Sequence, residues 1–87
     1  MDRGWPELGE VIRRHRLGAG LSQERLAELS GSHFTYISEI ETSKRNPSVN
    51  VLRRISAALG VVTSRLIAEA EALEKDRRTN SFSSPST

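Results

Sequence analysis

Residues 23–42 read QERLAELSGSHFTYISEIET, and the steric demands in this stretch decide the fold. Ala27 stands where two helix backbones must nearly touch, Gly31 where a tight turn needs positive φ, and Ile37 and Ile40 on the inward face of a second helix. Any one of these residues is common. Four at fixed offsets, with helix signals on both sides, describe two crossed helices joined by a short turn. The second helix then turns Phe34, Thr35, Ser38 and Glu39 outward, and a face of that kind can enter a groove of duplex DNA.

The flanking signals extend the pattern to five helices. Pro6 suits a first helical turn, where its missing N–H costs nothing, and Leu8, Val11, Ile12 and His15 form one stripe until Gly18 and Gly20 stop it, predicting a helix over 6–17. Ser22 is the expected N-cap of the second helix, with Glu24 in its first turn and Leu26, Ala27 and Leu29 on its buried side. Ser32 is expected to cap the third. A loop over 42–47 ends at Pro47, Ser48 caps a fourth helix carrying Leu52, Ile55 and Leu59, and Gly60 terminates it.

A fifth helix is expected over 63–77, with Leu66, Ile67, Ala70 and Leu73 in one stripe. That stripe has two readings. It closes the monomer core, or it forms the seam of a homodimer, because Ala70 and Leu73 lie beyond what four short helices are expected to cover. Residues 79–87 are Ser, Thr, Asn and Pro around Phe82, too polar to fold alone, and are expected to be a disordered tail. The expected organisation is therefore all-α: one domain over 1–78, its helix-turn-helix at about 22–42, with an extended C-terminal helix.

Eighty-seven residues with 36% apolar content suit one compact helical domain and exclude two. The absence of cysteine removes disulfides and thiolate metal sites and fits a reducing compartment. No apolar run reaches the roughly 18 residues of a membrane span, and the opening MDRGWP lacks a signal peptide's apolar stretch, so a cytoplasmic protein with no membrane partner is expected. His15 and His33 have no cysteine or carboxylate at metal-ligand spacing, and no phosphate loop or nucleophile motif is present. No enzyme, metal, cofactor or small-molecule ligand is expected.

The net charge of +2 says less than its distribution. Between Thr42 and Gly60 stand Lys44, Arg45, Arg53 and Arg54 with no acid, and Arg13, Arg14, His15 and Arg16 cluster near the end of the first helix. Alone, such charges could simply solvate helix faces. After a helix-turn-helix pattern, a basic segment reads as a phosphate clamp.

Leu21 to Ala27 (LSQERLA), Thr35 to Glu41 (TYISEIE) and Arg45 to Ser48 (RNPS) together resemble the lambda-repressor-like, or Cro and Xre type, helix-turn-helix domains over roughly residues 8–68. Within that family the TYIS and RNPS pairing is most similar to controller proteins of restriction-modification systems. The resemblance implies double-stranded DNA as partner, a homodimer on a near-palindromic operator, and autoregulation. It implies base contacts by His33, Phe34, Thr35, Tyr36, Ser38 and Arg45, and phosphate contacts by Ser22, Gln23, Lys44 and Asn46. Arg16 and Glu41 match a structural ion pair, which takes Arg16 out of the DNA contacts.

Thr35 offers a hydroxyl and a methyl to base edges, and Arg45 can pair bidentately with guanine. Tyr36 either donates to DNA or shields the core. Three positions depart from the family pattern: Phe34 where a polar reader is usual, Ser43 where glycine often follows the third helix, and Val62 in place of a capping residue. Glu39 would repel phosphates unless it accepts from a cytosine or from another side chain. A rival reading is an antitoxin or adaptor that binds protein through exposed Trp5, Phe34 and Phe82.

Overall fold

The computed structural model describes residues 4–82. They form α1 (Pro6–Gly18), α2 (Gln23–Ser30), α3 (Phe34–Glu41), α4 (Val49–Leu59) and α5 (Thr63–Phe82), with no strand among them. Pro6 opens α1 as expected. Ser22 caps α2 by accepting from the Arg25 N–H at 2.9 Å, and Ser48 caps α4 by accepting from Val51 at 3.1 Å.

Four helix ends close in one way. Gly31 sits at φ 68° and donates to the Glu28 carbonyl, while the Ser32 N–H reaches back to Ala27 at 2.8 Å, a Schellman motif. Gly20 and Gly60 close α1 and α4 with the same bonding pattern. At the end of α3 the left-handed residue is Ser43, φ 67°, with the Lys44 N–H donating to Glu39 at 2.8 Å. The expected cap at Ser32 is corrected by this geometry. Ser32 is committed to closing α2, its hydroxyl is buried without a partner, and His33 occupies the cap position of α3.

All five helices feed one core: Leu8, Val11 and Ile12 from α1, Leu26 and Ala27 from α2, Ile37 and Ile40 from α3, Val51, Leu52 and Ile55 from α4, and Leu66 and Ala70 from α5. Leu29, expected inside, is exposed. The inward face of α2 runs through Leu26, Ala27 and Ser30, and Ser30 is tolerated there because its hydroxyl donates to the Leu26 carbonyl at 2.7 Å.

The expected dimer seam needs a larger correction. Leu66 and Ala70 are both fully buried within the monomer. His15 lies 2.8 Å from Glu69, while Arg77 reaches Glu10 at 2.6 Å and Glu7 at 3.3 Å, so α1 runs antiparallel along α5 and covers the stripe. Ile67 and Leu73 are half-buried against the core. Helix α5 also continues to Phe82, past the expected end at residue 77 and into the stretch expected to be a disordered tail. No Gly or Pro interrupts it before Pro85, and extending an established helix costs little per residue. Residues 83–87, the rest of the expected tail, lie outside the described residues. No helix among those described is long and apolar enough to cross a membrane.

Candidate nucleic-acid interface

Burial of Ile37 and Ile40 fixes the rotation of α3, so Phe34 and Thr35 emerge on the exposed side with Ser38 and Glu39 at its half-buried edge. Phe34 keeps 45% of its surface in solvent, so a large part of its ring is available on this face. Tyr36 is half-buried against the core, and its hydroxyl accepts from the Ser48 N–H at 3.4 Å. Its ring lies beneath Arg45, whose guanidinium carbon is 5.1 Å from the ring centroid. Tyr36 thus shields the core and supports a basic side chain at once. His33, Thr35, Tyr36, Glu39 and Arg45 line one open pocket.

Glu39 is settled by this geometry as well. Its Oε1 accepts from Arg45 Nε at 2.8 Å, so the carboxylate faces a cation rather than the surroundings. The other acid of α3, Glu41, is withdrawn from the surface. Arg16 donates to it through Nε at 2.7 Å and Nη2 at 3.0 Å, and Gln23 Nε2 adds a third bond at 2.9 Å. The Arg16 guanidinium also donates through Nη1 to the Leu21 carbonyl at 2.8 Å. Hydrogen bonding to the Glu41 carboxylate holds Arg16 above its ordinary pKa. This network pins the start of α2 to the end of α3 and neutralises the acid nearest the loop.

Among the expected phosphate contacts, Ser22 caps α2 through its oxygen and retains a hydroxyl proton to donate. The amide nitrogen of Gln23 is engaged with Glu41. Lys44 is exposed and forms no ion pair among the described residues. Asn46 has a structural task that its sequence position did not announce: its Oδ1 accepts from the Trp5 N–H at 2.6 Å. Beside it, the Gly4 N–H donates to the Ser43 carbonyl at 3.0 Å. A Cβ at Gly4 would lie 2.8 Å from Ser43 C and O, and one at Gly9 would overlap the Ile40 carbonyl.

The chain entering α1 therefore braces both α3 and the loop that carries Lys44 and Arg45. Nothing in the sequence assigned this bracing role to Gly4 or Gly9. A glycine inside an otherwise regular helical stripe, as Gly9 is, was the one available signal of a close backbone approach. Trp5, expected to be exposed, is half-buried against the core.

No group of three or more His, Asp or Glu among the described residues could hold a metal ion. The outer face instead offers a short helix with a ring, a hydroxyl and a guanidinium beside a basic loop, which is the chemistry of groove recognition. A helix-turn-helix family model matches residues 12–67, more than half of the chain. The chain belongs to the helix-turn-helix family of Cro and Xre type.

The chain is similar to helix-turn-helix proteins of two kinds, controller proteins and transcriptional regulators. The chain is 40% identical over 60 residues to Control protein C.SmaI of Serratia marcescens, spanning 69% of this chain and 71% of that protein. It is 35% identical over 75 residues to the HTH-type transcriptional regulator SinR of Bacillus licheniformis, spanning 85% and 68%. Among solved structures it superposes on the restriction-modification controller protein C.AhdI from Aeromonas hydrophila with a TM-score of 0.70 at 34% identity, covering 71% of this chain and 94% of that one. This helix-turn-helix protein is a DNA-binding regulator rather than an enzyme.

Proposed function

We propose that the protein acts in the cytoplasm as a homodimeric transcriptional regulator on a near-palindromic operator, in the manner of an autoregulating controller protein. The observation that carries this reading is the outward face of α3: Phe34 and Thr35 stand free above a buried Ile37 and Ile40, beside a loop bearing Lys44 and Arg45. Base edges are read by His33, Phe34, Thr35, Tyr36, Ser38 and Arg45. Phe34 contributes apolar contact with thymine methyls. Phosphates are held by Ser22, Gln23 and Lys44, and by Asn46 only through the part of its amide not engaged with Trp5.

The two-fold seam belongs at the junction of α4 and α5. Ala57, Val61, Val62 and Thr63 form one side of an open groove that Asn50, Arg53, Arg54 and Ser56 complete, with Val62 67% exposed and Ile67 one turn further along α5. A second copy docked on the apolar side of this groove would present its own α3 about one DNA turn away, roughly 34 Å. The adaptor reading loses support from Trp5, and the side chain of Phe82 lies outside the described residues.

Selection of bound fragments from a random-sequence duplex pool tests the proposal. A palindromic motif with half-sites about one helical turn apart is expected. Retention of all sequences alike would reject sequence-specific regulation, and a single unrepeated half-site would reject the dimer.

A further inference from the structure

We propose that Glu39 is a positioning and specificity-determining residue: it orients Arg45 so that the free edge of the guanidinium reads guanine. This rests on the assignment of the α3 face as the DNA-reading surface. Glu39 holds its neighbour in two ways. Its carbonyl accepts the Lys44 N–H at 2.8 Å, closing the α3 terminus, and its Oε1 accepts from Arg45 Nε at 2.8 Å. Backbone and side chain of the reading loop are thus tied to one residue, which lies one turn along α3 from Thr35.

The geometry selects an edge. A guanidinium is a planar fork, and its bidentate match to guanine O6 and N7 is made by two adjacent N–H groups. Here the Nε position is taken by the carboxylate, and the plane is backed by the Tyr36 ring at 5.1 Å. The Nη1 and Nη2 end makes no hydrogen bond among the described residues and is the edge left for a base. An arginine on a loop would otherwise sample many rotamers and contact phosphates as readily as bases. Fixing both its plane and one of its edges removes that freedom before DNA arrives, so less is lost on binding.

The same carboxylate also discriminates against other contacts. If Arg45 swings away to a phosphate, Glu39 is left uncompensated among base acceptors and phosphate oxygens. A guanine in reach keeps the pair intact, whereas DNA without one gains the Arg45 contact only by exposing that charge. The pair is solvent-accessible on both sides, with 55% of the Arg45 side chain and 33% of the Glu39 side chain exposed, so it adds little to folding. Its contribution falls on recognition.

The test compares duplexes selected from a random-sequence pool by wild type, Glu39→Gln and Arg45→Ala, with thermal melts of all three. Glu39→Gln is nearly isosteric and is expected to melt with the wild type. It should retain the rest of the motif while its preference for guanine falls about three- to tenfold at the one half-site position where Arg45→Ala also loses it. A uniform gain of affinity for every duplex, with base preferences unchanged, would make Glu39 a mere repelling charge and overturn the proposal. So would a loss of preference at a position that Arg45→Ala leaves untouched. A wild-type pool that enriches no motif refutes the regulator reading itself, and the role of Glu39 with it.

Discussion

Arg16→Met is the most informative single perturbation, because it removes one member of a buried charge pair and leaves the other in place. The Arg16 side chain is 8% exposed and that of Glu41 only 1%. After substitution the Glu41 carboxylate retains one side-chain donor, Gln23 Nε2 at 2.9 Å. Breaking such a pair costs about 3 to 5 kcal/mol, since an uncompensated charge stays buried. A domain of 87 residues has roughly 4 to 13 kcal/mol in total, at about 0.05 to 0.15 kcal/mol per residue. The variant should therefore lose a large share of its stability, and at the low end it should not fold.

Urea denaturation of Arg16→Met, Glu41→Leu and the double variant separates this account from ordinary loss of packing. Apolar replacement of both partners is often neutral, so the double variant should recover most of the single-site loss, with a coupling of at least about 2 kcal/mol. An Arg16→Met loss below about 1 kcal/mol, or strict additivity of the two single losses, would refute the reasoning. The folded double variant should also bind DNA with an unchanged salt slope, because an arginine bound to Glu41 displaces no counterions from phosphates.

Ser43→Gly should raise the urea midpoint by the equivalent of about 0.5 to 1 kcal/mol: relief of a left-handed non-glycine residue outweighs the added freedom of the unfolded chain, and a lowered midpoint would contradict this. Val62→Glu should convert the dimer to a folded monomer in sedimentation, whereas Leu66→Glu should unfold the chain; an unchanged Val62→Glu profile would remove the seam from the α4 and α5 junction. Glu10 and Glu69 are held below the ordinary carboxylate value of 4.5, chiefly by hydrogen bonds from Arg77 and from Arg65 and His15 respectively. Their contribution to stability is present above that value and is lost as pH falls through the lowered ones, so thermal melts should decline on the acid side, and less steeply in Glu10→Gln/Glu69→Gln; equal acid limbs would count against the two links between α1 and α5.

What the sequence made legible was mostly local. Ser22, Gly31, Ser48 and Gly60 act within a few residues of themselves, and each does in the structure what its chemistry implies at a helix end. Ile37 and Ile40 were readable because their spacing permits only one inward face. The misreadings share a different cause. Ser32 looked like a cap until the Schellman turn claimed it, and Leu29 looked like core until the rotation of α2 was fixed by Ala27 and Ser30. Ala70 looked uncovered because nothing near it in the chain reveals that α1, more than fifty residues earlier, lies antiparallel along α5. At the candidate interface, the outward placement of Phe34 and Thr35 followed from the spacing of Ile37 and Ile40, but the Glu39 and Arg45 bond and the N-terminal brace depend on a loop path that only a folded chain defines.

That loop path shows how a domain this small fixes the surface proposed to read DNA. Three of its four Schellman ends use glycine, which adopts the left-handed conformation without strain. The fourth uses Ser43, and it is the one that launches Lys44 and Arg45. Strain tolerated at one point must be held by its surroundings, and here the restraints converge from the other end of the chain. Gly4 donates to the Ser43 carbonyl at a separation that no side chain at residue 4 could share, and beside it Asn46 accepts from the Trp5 N–H. Glu39 closes the remaining edge through its carbonyl and its carboxylate. The loop is thus held at Ser43, Lys44, Arg45 and Asn46 by two segments without any of its basic charge being buried, and 55% of the Arg45 side chain stays exposed. Precision at the surface comes from ties made by the N-terminal segment and by the helix end, so a substitution at Gly4 or Gly9, neither of which is on the proposed reading face, should disturb recognition by moving the loop that carries Lys44 and Arg45.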